Sequence, residues 1–207
     1  MKNIFIDCGT NLGQGLTHFD RIYQLFNSAE WDICTFEPNP HINLNDMFKN
    51  ISNLEKIERA VWVREEELEF CCKGKNTAEE RHQNNEERFQ GGGSQLNALN
   101  IQEKHPSNVE SISARVKAIN FSDFILQKKD MYDKIFVKFD IEGAEFEVID
   151  KLISDDTLKY IEKLYIEPHG RFLFQRELWE TKKEEIKEIE DILINKIKAH
   201  TKVVLWH

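Results

Sequence analysis

Apolar positions in this chain fall alternately into short runs and helical ladders. Ile4, Phe5 and Ile6 predict a buried strand that runs into the glycine turn Asp7-Cys8-Gly9-Thr10-Asn11-Leu12-Gly13. Behind it Leu16, Phe19, Ile22, Tyr23 and Phe26 recur at helical spacing, and Asn27-Ser28 closes that helix. Residues 31–36 predict the next strand, ended by Glu37 and the prolines Pro38 and Pro40. Residues 40–48 predict a second helix with proline in its first turn. Residues 57–63 and 68–72 predict two strands joined by Arg64-Glu65-Glu66-Glu67, an antiparallel, partly exposed pair.

Residues 116–119 then predict a short strand, followed by a helix N-capped by Ser122. The strongest buried strand is predicted at 134–139, with a helix at 144–153 after it. A strand at 164–167 stops at Pro168-His169-Gly170. Residues 178–199 predict a long charged helix with Ile186, Ile189, Leu193 and Ile197 on one face, and 202–206 a final strand. Alternating strands and helices without an internal repeat predict an α/β fold, a doubly wound, mostly parallel sheet flanked by helices. At 207 residues the chain fits one domain, 1–207. Residues 73–111 break the pattern: they are polar, carry Gly91-Gly92-Gly93-Ser94 and lack apolar periodicity. A connection of that length is either plainly disordered or a functional lid, and the favoured reading is a mobile insert that orders over a ligand.

Composition narrows the partners. The formal charge of −9 opposes binding to nucleic acid and does nothing to attract an anionic membrane. No apolar run approaches the ~18 residues of a membrane span, so membrane insertion is not expected. Met1-Lys2-Asn3 leads directly into a strand without a signal-peptide core, which predicts a cytoplasmic protein. Cys8 and Cys34 fall in core strands and Cys71-Cys72 are adjacent, so reduced thiols are expected. No Cys/His spacing suggests zinc.

Candidate chemistry gathers at strand ends, where open parallel sheets bind ligands. Asp7, Glu37 and the acidic turn Asp140-Ile141-Glu142-Gly143-Ala144-Glu145 converge there. A phosphate loop of the G-x-x-x-x-G-K-[ST] type is absent, and Gly13-Gln14-Gly15-Leu16-Thr17-His18 lacks the third glycine of a dinucleotide turn. Asp7 would repel a pyrophosphate but suits a ligand with an ammonium and a sulfonium, as S-adenosylmethionine has. Glu37 is placed to accept hydrogen bonds from both ribose hydroxyls.

The IFIDCGTNLGQG opening, FEPNP, VKFDIEGAEFEVI and LYIEPHG resemble the FkbM-type family of S-adenosylmethionine-dependent methyltransferases, over most of residues 3–170. The resemblance implies a Rossmann-like methyltransferase fold and O-methylation of a sugar, glycan or small natural product. It also implies that Asp7, Gly9 and Gly13 line the methionine side of the cofactor, with Thr10 and Asn11 in the same turn. Glu37 and Pro38 then lie by the ribose, Arg59, Ala60 and Val61 by the adenine, and Asp140, Glu142 and Glu145 along the reaction crevice. Such folds finish with a helix and a two-strand hairpin. Only one terminal strand is legible here, which implies a shortened C-terminal edge.

A sugar hydroxyl is a poor nucleophile while protonated, so a base in reach is expected. Asp140, at the end of the strongest strand, Glu142 and His169 are the candidates; Glu145 reads as a helix-dipole partner. No metal is assigned, although Asp140, Glu142, Glu167 and His169 are the groups that could converge on a divalent cation. Two other readings stay open: a nicotinamide-dependent oxidoreductase on a related sheet, and a ligand-binding module of the same fold without turnover.

Overall fold

The computed structural model describes residues 1–73, 95–96, 111–174 and 176–206. Ten strands and five α-helices are described: β1 Asn3–Cys8, α1 Gln14–Tyr23, β2 Trp31–Phe36, α2 Leu44–Met47, β3 Leu54–Ile57, β4 Ala60–Trp62, β5 Glu67–Lys73, β6 Gln95–Leu96, β7 Ser111–Asn120, α3 Phe121–Lys128, β8 Ile135–Phe139, α4 Glu145–Ser154, β9 Lys163–Ile166, α5 Lys183–Lys198 and β10 Lys202–Leu205. The insert expected at 73–111 lies outside the described residues except at its two ends and at β6.

Six strands form one sheet in the order β10-β9-β8-β1-β2-β3, every pair parallel. The chain begins at the centre with β1, runs outward through β2 to β3, and later returns to β8 on the other side of β1. The order therefore reverses between β1 and β8, which opens a crevice at their carboxyl ends. The α/β class and mostly parallel sheet expected from the sequence are present. β10 joins the edge parallel to β9 in the register Val203 to Leu164, as the last described strand of the sheet.

Two apolar layers hold the sheet. Ile4, Ile6, Ile135, Val137, Phe139 and Leu164 face α3, α4 and α5, where Ile125, Val148, Ile149, Leu193 and Ile197 are buried. Phe5, Ile33 and Tyr165 face the opposite way, onto Leu16 and Phe19 of α1. Both layers are needed because a parallel sheet is apolar on each face. Cys8 and Cys34 are buried free thiols.

Three local expectations are corrected. Residues 57–63 do not form one strand pairing with 68–72. The chain breaks at Glu58-Arg59, so β3 stays in the main sheet while β4 pairs parallel with β7. β5 instead pairs antiparallel with β7, giving a second sheet ordered β4-β7-β5-β6. Next, the helix expected at 40–48 shrinks to α2, because Asn43 caps it by accepting from the Asn45 and Asp46 amides. The α3 cap is Asn120, whose side chain accepts from the Ser122 amide. The Ser122 hydroxyl is paired instead with Thr157 at 2.9 Å, inside the core.

Candidate active site

Gly9, Glu37, Asp140 and Glu167 are each the first residue past a strand: β1, β2, β8 and β9. Parallel pairing in register brings these four positions to one edge of the sheet. Ile6 lies opposite Cys34 and Val137, and Val137 opposite Leu164. A concave pocket opens there, lined by Gly9, Phe36, Glu37, Pro38, Arg59, Ala60, Val61, Phe70, Asp140 and Ile141. Six of the expected cofactor residues are among them. Asp7 and Thr10 are buried beneath instead, and neither lines the pocket.

The glycine turn is held from the next strand end. The Asn11 amide donates to Glu37 Oε2 at 2.7 Å and the Asn39 amide to Oε1 at 2.8 Å. Glu37 thus ties the β1 and β2 turns together, and each oxygen keeps a lone pair for a further donor. Burial pushes its carboxyl up to about 7, against the two amide hydrogen bonds. Asn11 takes φ 48° and Gly13 φ 78°, the left-handed conformations this turn requires. Gly9 (φ 76°) also meets the neighbouring turn, since a Cβ there would lie 1.8 Å from the Asp140 carbonyl oxygen. Its lack of a side chain lets the β1 and β8 turns touch.

Asp7 does not present a bare charge to the crevice, as the sequence suggested. It lies opposite Lys138 in the β1–β8 register. Lys138 Nζ is 3.2 Å from Asp7 Oδ1, 3.2 Å from Asp140 Oδ2, and donates to the Gly9 carbonyl at 3.1 Å. The Asp7 contact is one of charge rather than an aligned hydrogen bond, and both Asp7 oxygens lack a hydrogen-bond partner among the described residues. Burial disfavours the Lys138 ammonium, but Asp7 and Asp140 outweigh it and raise its pKa. Gly15 of α1 makes room for the lysine, since a Cβ there would stand 3.3 Å from Lys138 Cε. Lys138 is not among the residues expected at the site. Its one signal is a lysine inside the otherwise apolar strand Ile135-Phe136-Val137-Lys138-Phe139.

Beside the pocket stands a charged cage around His169. Its Nδ1 meets Glu145 Oε1 at 2.6 Å, and both residues are buried, 2% and 0% exposed. Its Nε2 faces Glu167 Oε1 at 3.6 Å, Glu142 Oε2 at 3.7 Å and Asp140 Oδ1 at 3.9 Å. Phe172 stacks on the imidazole with ring centres 5.6 Å apart and fixes its plane. Glu142 takes φ 56°, and Gly143 takes φ 102° against the Phe172 side chain. Asp140, Glu142 and His169, three residues expected from the sequence, therefore meet at one point.

Two expectations about this cage change. Burial would lower the His169 pKa, but the Glu145 hydrogen bond, with the charges of Glu145, Glu142 and Asp140, raises it to about 9. That shift favours the imidazolium near neutral pH and turns the proton-accepting role toward the carboxylates around it. Glu145 is more than a dipole partner at the start of α4. It is the buried carboxylate that orients His169. Burial lifts Glu142 to about 7, with His169 opposing the shift.

The chain matches the methyltransferase FkbM domain over residues 7–201, nearly its whole length. It belongs to that family. No curated protein and no solved structure gives a significant match. The pocket at the β1–β8 reversal and the adjoining cage are thus the candidate active site of an FkbM methyltransferase domain. Among the described residues no helix is long and apolar enough to cross a membrane.

Proposed function

We propose that this FkbM domain is an S-adenosylmethionine-dependent O-methyltransferase acting on a hydroxyl of a sugar, glycan or small natural product. The observation that carries the reading is the shared position of Gly9, Glu37, Pro38, Ala60, Val61 and Asp140 around one pocket at the strand-order reversal. The residues present fit that cofactor. Glu37 keeps two free lone pairs on the pocket wall, Ala60 and Val61 offer an apolar wall to a purine, and in the adjoining glycine turn Asn11 Oδ1 is a buried acceptor without a partner among the described residues. Once bound, the cofactor supplies an electrophilic methyl group on a sulfonium.

The chain's own part is to bind, orient and receive a proton. Glu37 holds the ribose hydroxyls, and the Lys138–Asp140 contact keeps the Asp140 turn beside Gly9. An acceptor hydroxyl entering from the cage side meets Asp140 and Glu142, carboxylates able to take its proton. His169 balances their charge and holds them together. Holding the partners in a fixed approach supplies much of the acceleration in such a transfer.

Calorimetry with S-adenosylmethionine tests the reading. Glu37→Ala removes a charged acceptor worth about 1.5–3 kcal/mol, so affinity drops roughly tenfold or more. Unchanged affinity in a folded Glu37→Ala protein would put the ribose elsewhere. Methylated product from a panel of sugars and polyols checks the acceptor class.

A further inference from the structure

The geometry points to a divalent-cation site at the His169 cage, formed by His169 Nε2, Asp140 and Glu142, with Glu167 in reach as a fourth group. The inference rests on the methyltransferase reading for its purpose, which is to hold the acceptor's oxygens, but not for its geometry. One atom from each of Asp140, Glu142 and His169 lies within 4.8 Å of the other two. Ligands at about 2.0–2.4 Å from a common ion need spacings of that order.

A cluster of carboxylates alone would say little; the histidine decides the matter. It is 2% exposed, yet its Nε2 has no hydrogen-bond partner among the described residues and aims into three carboxylate oxygens at 3.6–3.9 Å. Those distances are too long for hydrogen bonds and leave space between the groups. The other nitrogen is committed to Glu145, a carboxylate with no exposed surface whose second oxygen has no hydrogen-bond partner among the described residues. Metal-ligating histidines are fixed in this way, one ring nitrogen bonded to a carboxylate while the other faces the ion. Phe172 completes the support by stacking on the ring.

A proton on Nε2 is one way to answer this charge. A divalent ion is the other, and it satisfies all the facing groups at once. An oxygen-rich set with a single imidazole suits a borderline-hard ion such as Mn²⁺. Three or four protein ligands leave positions open for water or for two hydroxyls of an acceptor. The other oxygen of Asp140 stays on Lys138, so an ion here is coupled to the strand-end lysine that supports the cofactor pocket. Glu145 would touch no ion and acts as a positioning residue.

The test is titration of Mn²⁺ alone into full-length protein stripped with a chelator, the free ion followed by electron paramagnetic resonance. Wild type is expected to take up a single ion per chain. Glu142→Gln and His169→Gln should each remove most of that binding. Glu145→Gln, which keeps every ligand, should weaken it by about 10–100-fold. Circular dichroism confirms that each variant is folded. Calorimetry with S-adenosylmethionine on the same preparations separates the two claims. Cofactor binding without Mn²⁺ binding overturns the ion site alone, and Mn²⁺ binding without cofactor binding overturns the function and leaves the site. Folded wild type that leaves millimolar Mn²⁺ free, or equal uptake by wild type and the two ligand variants, overturns the proposal.

Discussion

Lys138 illustrates how one residue sets the character of this crevice. It is a buried cation between two carboxylates, held 3.2 Å from each. Removing one partner from a buried ionic cluster costs about 3–5 kcal/mol, because the remaining charge has no compensation. Lys138→Met is therefore expected to lower unfolding stability by that order in urea titrations at pH 8. Lys138→Met combined with Asp7→Asn should recover a large part of the loss. Equal stability of the single variant and wild type would mean that the lysine does not neutralise this site. Glu37 makes a second prediction, in pH. Its carboxyl sits at about 7 in the free protein, and ribose hydroxyls donating to it would favour the ionised form. Below about 7 binding must then release a proton, so affinity for S-adenosylmethionine rises with pH, by up to about tenfold per unit, and levels off above 7. The effect on folding has the opposite sign. Between the ordinary carboxylate range and 7 the folded chain holds a proton that the unfolded chain has lost, so this group's contribution to stability falls as pH rises. Calorimetry from pH 5.5 to 8.5 reads the first effect, and a flat affinity profile would remove Glu37 from the ribose site.

The elements differ in how openly the sequence declares them. β1, β2, β8 and β9 are central parallel strands, buried on both faces, and such strands read as mainly apolar runs. The candidate residues just past them, Glu37, Asp140 and Glu142, are legible for the same reason, since a strand end followed by a carboxylate is a local pattern. The second sheet is not legible. Whether Ala60–Trp62 pairs with its neighbour in sequence or with Ala118–Asn120 is decided by contacts some sixty residues apart. Lys138 escapes notice likewise, and Glu145 is read only as a helix-dipole partner, because one acquires its role from the β1 register and the other from His169, 24 residues on. α5 falls between these cases. Its stripe was readable, but Ile186 and Ile189 are only half-buried, and the tight contact is made by Leu193, Ile194 and Ile197. Leu193→Ala is accordingly expected to cost about 2–5 kcal/mol in chemical denaturation. Ile192→Ala, at a position 51% exposed, should stay within about 0.5 kcal/mol. Similar losses for both would mean that α5 does not cover the sheet through the Leu193 face.

For the whole molecule the question is which ligand the strand-order reversal accepts, since the same architecture serves nicotinamide and methyl-transfer chemistry alike. Three features of this chain bear on the choice together. The glycine turn lacks the third glycine of a dinucleotide fingerprint. Lys138 is sealed under α1 by Asp7 and Asp140, so its charge is already met and is not offered to a pyrophosphate. Glu37, Asp140, Glu142 and Glu167 put hydrogen-bond acceptors on the rim, which suits a ligand with hydroxyl and cationic donors better than a second phosphate. A ligand that binds only the folded state at a hundred times its dissociation constant stabilises it by about 2.7 kcal/mol. For a domain of this size that is a rise of roughly 5–10 °C in melting temperature. S-adenosylmethionine is expected to produce such a shift, and NAD at the same concentration none. Glu37→Ala should abolish most of the shift while leaving the ligand-free protein folded. A rise with NAD and none with S-adenosylmethionine would transfer the pocket to hydride chemistry and leave the family's fold without its expected cofactor.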